Sequence, residues 1–119
     1  MAIRLDPNNH VYISNRSGAY SAMGRFEKAL DDANKCIKLQ PEWPKGYSRK
    51  GAALVGMGQA GEGVKSYLKA SQVEPGNQHA KEGLAAAKAS IRAHQQRYKE
   101  MWGDDGTQTQ EQDENLQSE

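Results

Sequence analysis

Residues 24–41 read Gly-Arg-Phe-Glu-Lys-Ala-Leu-Asp-Asp-Ala-Asn-Lys-Cys-Ile-Lys-Leu-Gln-Pro, and residues 58–75 read Gly-Gln-Ala-Gly-Glu-Gly-Val-Lys-Ser-Tyr-Leu-Lys-Ala-Ser-Gln-Val-Glu-Pro. Each stretch begins with glycine, ends with proline and starts 34 residues from the other, and Pro7 stands one further period upstream. Glycine commonly follows the end of a helix, and proline cannot continue one. The spacing therefore predicts a repeat of 34 residues in which Gly24 and Gly58 end the first helix of a pair and Pro41 and Pro75 end the second.

Apolar side chains at helical spacing accompany these stop signals. In the first unit, the stripe of the first helix comprises Tyr12, Ile13, Ala19, Tyr20 and Met23, and that of the second comprises Phe26, Ala29, Leu30, Ala33 and Ile37. The terminal stripe comprises Leu84, Ala87, Ile91, Tyr98 and Met101. Because no such stripe is buried by one helix pair alone, stacked pairs closed by a long terminal helix are expected.

A period of 34 residues is that of the tetratricopeptide repeat. The chain resembles this family, which implies an all-α superhelix of antiparallel helix pairs with a C-terminal capping helix. We assign residues 1–9 to the remnant of a preceding repeat, 10–77 to two complete repeats, 78–102 to the capping helix and 103–119 to an acidic tail that we expect to be disordered. Two glycines, Gly61 and Gly63, fall inside a predicted helix, which we expect to fray because glycine disfavours helix interiors.

Composition excludes several classes of protein. The 119 residues suffice for one small domain, and no apolar run is long enough to span a bilayer. The first residues lack a secretory signal, so we expect a cytoplasmic protein without membrane partners. The single cysteine, Cys36, has no disulfide partner within the chain, and we interpret it as a small core residue. The six acidic residues of the tail leave residues 1–102 with sixteen Lys and Arg against nine Asp and Glu, a net charge of +7 that favours acidic partners.

No catalytic or cofactor site is predicted. Gly56-Met-Gly-Gln-Ala-Gly matches the dinucleotide-binding pattern, but no strand precedes it and the repeat already explains Gly58. The histidines at 10, 79 and 94 have no metal-ligand spacing, and we expect them at the surface. We therefore expect no metal, no cofactor and no enzymatic activity.

The candidate binding residues are Asn15, Lys45 and Arg49. Asn15 and Arg49 occupy the same place in successive units, so stacking should set their side chains next to each other, and Lys45 shares a helix face with Arg49 four residues later. Together they would offer a guanidinium, an ammonium and a carboxamide to a carboxylate. From spacing alone, a solvated helix face explains Lys45 and Arg49 equally well.

A closer resemblance favours binding. The runs Tyr12-Ile-Ser-Asn-Arg-Ser-Gly-Ala-Tyr and Trp43-Pro-Lys-Gly-Tyr-Ser-Arg-Lys-Gly-Ala-Ala-Leu are similar to the N-terminal repeat domain of the Hop (Hsp-organising protein) co-chaperone family. In that family a clamp of two Lys, two Asn and one Arg grips the carboxylates of heat-shock chaperones that end in Glu-Glu-Val-Asp. The resemblance assigns three clamp places to Asn15, Lys45 and Arg49, and groove-lining places to Gly18, Ser21 and Ala22. Lysine is common in the family at the place of Ala22, and the other two clamp residues belong to a helix upstream of Met1.

Two functions follow as expectations. The first is a co-chaperone adaptor whose groove captures the C-terminal peptides of seventy- or ninety-kilodalton heat-shock chaperones. The alternative is a self-associating scaffold with a vacant groove, in which the uncovered face of the first complete helix pairs with another copy. Nucleic-acid binding would rest on the basic body alone, which lacks a basic run with interleaved aromatics, so none is expected. The acidic tail could also reach back and compete for the groove.

Overall fold

A computed structural model describes residues 9–102, and these form five helices joined by short turns. The helices are α1 (His10–Ala22), α2 (Phe26–Leu39), α3 (Pro44–Gly56), α4 (Ala60–Val73) and α5 (Gln78–Trp102). The part of the chain so described contains no strand, so the predicted all-α architecture is confirmed. The assignments of residues 1–8 and 103–119 lie outside the described residues.

The helix boundaries follow from local side-chain and backbone chemistry. Asn9 and Asn77, two periods apart, cap α1 and α5: the Asn9 side chain accepts from the Val11 and Tyr12 amides at 2.9 and 3.2 Å, and Asn77 Oδ1 accepts from the Ala80 amide at 2.9 Å. After α1 and α3 the chain turns through Gly24 and Gly58. Their φ angles of 77° and 81° favour glycine, as the sequence predicted.

The helices form two layers. In the inner layer α1, α3 and α5 contact each other in chain order, while the outer helices α2 and α4 pack against them without touching each other. The described part measures 64 × 29 × 20 Å, the elongated shape expected of a stacked array. The core is built largely from small residues, among them Ala29, Ala33, Cys36, Ala53 and Ala70, all fully buried. Cys36 is therefore the core residue that the sequence predicted.

The interface between α3 and α4 depends on a glycine. A Cβ placed on Gly63 would lie 2.7 Å from Val55 Cγ2 and 3.1 Å from the carbonyl oxygen of Gly51, whereas a Cβ on Gly61 would meet no atom within 4 Å. Gly63 thus permits the close approach of the two helices. That the two glycines fray α4 remains a prediction.

The predicted apolar stripe of α1 is wrong in part. Its buried residues are Ile13, Ser14 and Ser17, while Ala19 is exposed and Met23 is 61% exposed. The physical reason is that α1 packs closely on α2, which favours small side chains whose hydroxyls find partners. The hydroxyl of Ser17, for instance, donates to the Ala29 carbonyl oxygen at 2.8 Å.

Two further expectations need correction. The α5 stripe is buried only at its N-terminal end, through Ala80 and Ala87, and Tyr98 and Met101 are 51% and 72% exposed. With 25 residues against 14 in α4, α5 is too long for its neighbour to cover. His10 is not a free surface residue either, because its half-buried ring meets Trp43 in a T-shaped contact at 4.7 Å.

Candidate functional site

The inner layer presents the candidate residues of α1 on one broad face. Asn15 and Ala22 are exposed, and Gly18 and Ser21 are half-buried. The hydroxyl oxygen of Ser21 is buried and has no hydrogen-bond partner among residues 9–102. The structure therefore leaves the Asn15 carboxamide open to solvent, whereas the Ser21 hydroxyl is not.

Arg49 reaches from α3 onto α1. Its Nε donates to Ser14 Oγ at 3.3 Å, and its guanidinium covers Gly18: a Cβ on Gly18 would lie 2.6 Å from Arg49 Nη1 and 2.8 Å from Cζ. Gly18 thus provides the room in which the guanidinium lies. Gly18 follows Asn15 by three residues and so shares its helix face, which places Asn15 and the guanidinium over Gly18 in the same region of the inner surface.

Lys45 lies one turn before Arg49 on the same side of α3, and both line the same pocket. Neither forms an ion pair with a carboxylate within residues 9–102. Arg16 differs, because its guanidinium makes two 2.8 Å hydrogen bonds to Asp32, which raise the pKa of Arg16 above its usual value. Arg16 therefore joins α1 to α2, whereas Lys45 and Arg49 keep charges that an anion could neutralise.

The pocket next to Lys45 and Arg49 has a volume of about 550 Å³ and lies between α3, the α4–α5 turn and the start of α5. From α3 and the residue before it come Trp43, Pro44, Lys45, Ser48, Arg49 and Ala52, and from the other segments come Tyr67, Glu74, Asn77 and His79. The Ser48 hydroxyl oxygen is buried without a partner in the described range. The structure thus joins two of the three candidate residues in one concavity, and Asn15 is not part of its lining.

Tyr67 is a pocket residue that sequence reasoning missed. It belongs to the outer helix α4, yet its ring passes between α3 and α5 at two glycines: a Cβ on Gly51 would lie 2.7 Å from Tyr67 Cε2, and a Cβ on Gly83 would also clash with the ring. The side chain is only 7% exposed. Because binding residues were expected only on the inner helices, Tyr67 of α4 was not among the candidates. The only signal in the sequence was a tyrosine together with the glycines at 51 and 83, which leave room for its ring.

Comparison with known proteins identifies the architecture. The tetratricopeptide repeat family profile matches residues 12–42. The first repeat domain of human RPAP3, solved by NMR, superposes with a TM-score of 0.67 at 32% identity, covering 74% of this chain and 69% of that domain. The chain belongs to the tetratricopeptide repeat family. As a member of this family it is a binding scaffold and not an enzyme.

The chain is also similar to two further proteins. The chain is 45% identical over 84 residues to the Hsp70-Hsp90 organising protein of Plasmodium falciparum, an alignment that covers 71% of this chain and 33% of that protein. It thus spans no more than a third of the length of the curated relatives it matches. The first repeat domain of Spaghetti (RPAP3), solved with the HSP90 peptide SRMEEVD, gives a TM-score of 0.65 at 32% identity over 73% of this chain and 69% of that one.

The longest of the described helices, α5, is polar along much of its length. No helix within residues 9–102 combines the length and apolar character that crossing a membrane requires.

Proposed function

We propose that this chain is a cytoplasmic co-chaperone adaptor that binds the acidic Glu-Glu-Val-Asp C-termini of seventy- or ninety-kilodalton heat-shock chaperones. The peptide carboxylates lie against Asn15, Lys45 and Arg49. Gly18, Ser21 and Ala22 line the groove beside them.

The observation that carries this proposal is the state of Arg49 and Lys45. Both side chains are half-buried on the inner surface, and neither has a carboxylate partner within the described range. A partly buried cation without a counter-charge is energetically unfavourable, and a carboxylate ligand supplies that charge with directed hydrogen bonds. Arg49 offers a planar set of hydrogen-bond donors, and within residues 9–102 only its Nε has a partner, the neutral hydroxyl of Ser14.

The relatives support the identity of the ligand. The name of the Plasmodium falciparum protein joins Hsp70 and Hsp90, and the Spaghetti domain was solved with a peptide ending in Glu-Glu-Val-Asp. Binding of an acidic C-terminus by clustered cations is an established mode of peptide recognition. With three clamp residues we expect a dissociation constant weaker than about 1 µM, which corresponds to about −8 kcal/mol.

A titration of the chain with the free-acid Glu-Glu-Val-Asp peptide and its C-terminal amide tests the proposal. The free acid should bind at least about tenfold more tightly, because the amide removes one charge-assisted interaction. Arg49→Ala and Lys45→Ala should each reduce this preference. The matched control Arg92→Ala removes an exposed arginine of α5 and should leave binding unchanged. Equal affinity for acid and amide would refute the proposal.

A second function, self-association, has one observation in its favour. Val11 is 47% exposed and Met23 is 61% exposed, and among the described helices α1 contacts only α2 and α3, so part of its surface is uncovered. Exposed apolar surface of this kind can pair with a second copy. Sedimentation across a hundredfold concentration range tests this: a mass that rises with concentration and falls back in Met23→Lys supports pairing through α1, and a constant monomer mass excludes it.

A further inference from the structure

The C-terminal part of α5 extends beyond the helices that pack against it. The N-terminal part is covered, because Ala80 and Ala87 are fully buried and the Tyr67 ring of α4 lies against Gly83. None of the residues 88–102, which we call the α5 extension, is buried. At a rise of 1.5 Å per residue, the extension is about 22 Å long.

The α5 extension continues the face that α5 buries inside the fold. Apolar residues alternate at spacings of three and four along the whole helix, the pattern by which one helix packs on another. These residues, which we call the α5 seam, are Ala80, Leu84, Ala87, Ile91, Tyr98 and Met101, and the one polar place in the series is His94. Tyr98 and Met101 are 51% and 72% exposed, and Trp102, beside the seam, is 56% exposed. An interface that begins inside the fold therefore runs on for two heptads without a partner among residues 9–102.

The charges beside the exposed part of the seam are positive. Lys88 and Arg97 stand on opposite sides of it, and Arg92 lies beyond Lys88. None of these three cations forms an ion pair within the described part of the chain. Glu100 is the only acidic residue of the extension, and its Oε1 accepts a 3.1 Å hydrogen bond from Gln96 Nε2. With four basic residues against one acidic residue, the extension has a net charge of +3, which is complementary to an acidic partner.

These features favour one occupant over three others. A second copy of the extension would bring another charge of +3 to the seam. The acidic residues 103–119 contain a single aliphatic or aromatic residue, Leu116, and so lack the apolar side chains to cover Ile91, Tyr98 and Met101. The seam has only two places per heptad, which is narrower than the apolar face of a helix that lies in a membrane surface. A narrow seam with positive flanks instead fits a helix whose own narrow apolar stripe has acidic flanks.

We propose that the α5 extension is a second docking surface, which binds an amphipathic helix of another protein whose apolar stripe is flanked by Glu and Asp. The partner helix packs along Ile91, Tyr98 and Met101, and its carboxylates lie beside Lys88 and Arg97. This surface shares no residue with the candidate clamp on α1 and α3. It therefore goes beyond the proposed function and does not depend on it. An adaptor with both surfaces would hold two proteins at once.

Calorimetric titration of the full chain with synthetic helices tests the proposal. The acidic helix has three heptads with Leu at the seam places and Glu on both flanks, and the basic helix has Lys in place of every Glu. Both carry a C-terminal amide, so that no terminal carboxylate is present to bind the groove. The acidic helix should bind at least about tenfold more tightly than the basic one. This difference should shrink as salt is added, because exposed charges are screened.

Two substitutions locate the binding surface. Trp102→Ala should weaken binding of the acidic helix at least about tenfold, because a large aromatic contact is lost. Its matched control is Leu68→Ala, which removes a similarly exposed apolar side chain from α4 and should have no effect. Arg97→Gln should weaken binding by about threefold, since an exposed ion pair contributes little. Lys35→Gln removes an exposed cation of α2 and is the control for charge.

Four outcomes would overturn the proposal. They are equal binding or no binding of the two helices, acidic-helix binding that Trp102→Ala leaves unchanged, binding to phosphatidylserine vesicles without binding to the acidic helix, and a mass that rises with concentration in the wild type but not in Trp102→Ala. The third would assign the extension to a lipid surface and the fourth to a second copy. Trp102→Ala should bind the free-acid Glu-Glu-Val-Asp peptide as the wild type does, so a failure of this surface is distinguishable from a failure of the groove.

Discussion

Gly18→Ala separates the role of Arg49 in binding from its role in folding. Alanine in the interior of a helix is favoured over glycine by about 0.5–1 kcal/mol, so α1 alone should become more stable. The new Cβ would, however, lie 2.6 Å from Arg49 Nη1 and 2.8 Å from Cζ, well inside contact distance. The guanidinium is the mobile end of a long side chain, so it should move aside with little cost in stability.

Affinity should change in the opposite direction. Movement of the guanidinium breaks its 3.3 Å hydrogen bond to Ser14. It also moves the guanidinium donors away from the position in which they can bind a carboxylate. Loss of one well-placed hydrogen bond to a charged group is worth about 1.4 kcal/mol or more, so Gly18→Ala should bind the free-acid peptide about tenfold more weakly. Its free energy of unfolding should stay equal or rise by up to about 1 kcal/mol.

The control is Gly61→Ala, which makes the same exchange in α4 where a Cβ meets no atom within 4 Å. It should not change affinity. Denaturant unfolding and calorimetric titration of the three proteins give the two quantities. Wild-type affinity in Gly18→Ala, or a loss of stability greater than about 2 kcal/mol, would refute the inferred placement of Arg49.

Two further predictions concern the core. Gly63→Ala should lower the free energy of unfolding by about 1–3 kcal/mol, because its Cβ would overlap Val55, whereas Gly61→Ala should raise it slightly; equal effects in denaturant melts would contradict the packing of α3 on α4. Cys36 is fully buried, its thiol donates to the His10 carbonyl oxygen at 3.5 Å, and burial raises the pKa of the thiol. A thiol reagent at pH 8 should therefore modify Cys36 only as fast as the fold opens, and a rate equal to that of an unfolded peptide would show that the core is loose.

The helix pairs could be predicted because their signals are local. Gly24 and Gly58 adopt positive φ, and Pro41 and Pro75 follow the ends of α2 and α4, so the period alone locates the turns. The face that α1 buries could not be predicted in the same way. Hydrophobicity predicted that Met23 would be buried, but the tight packing of α1 buries Ser14 and Ser17 instead. Their burial depends on hydrogen-bond partners 12 to 35 residues away in the chain.

The candidate site, too, could be predicted only where its residues are close in the sequence. Lys45 and Arg49 could be placed together because four residues separate them on one helix. The room left by Gly18 for the guanidinium, and the passage of Tyr67 between Gly51 and Gly83, depend on the spacing of helices in three dimensions. Periodicity carries no information about that spacing.

The central claim is that the inner surface recognises the carboxylates of an acidic C-terminus. Calorimetric titration with free-acid and amidated Glu-Glu-Val-Asp peptides, for the wild type and for Arg49→Ala, tests it most directly. We predict that the wild type prefers the free acid by at least about tenfold and that Arg49→Ala loses most of this preference. Equal affinities of the wild type for the two peptides would contradict the claim.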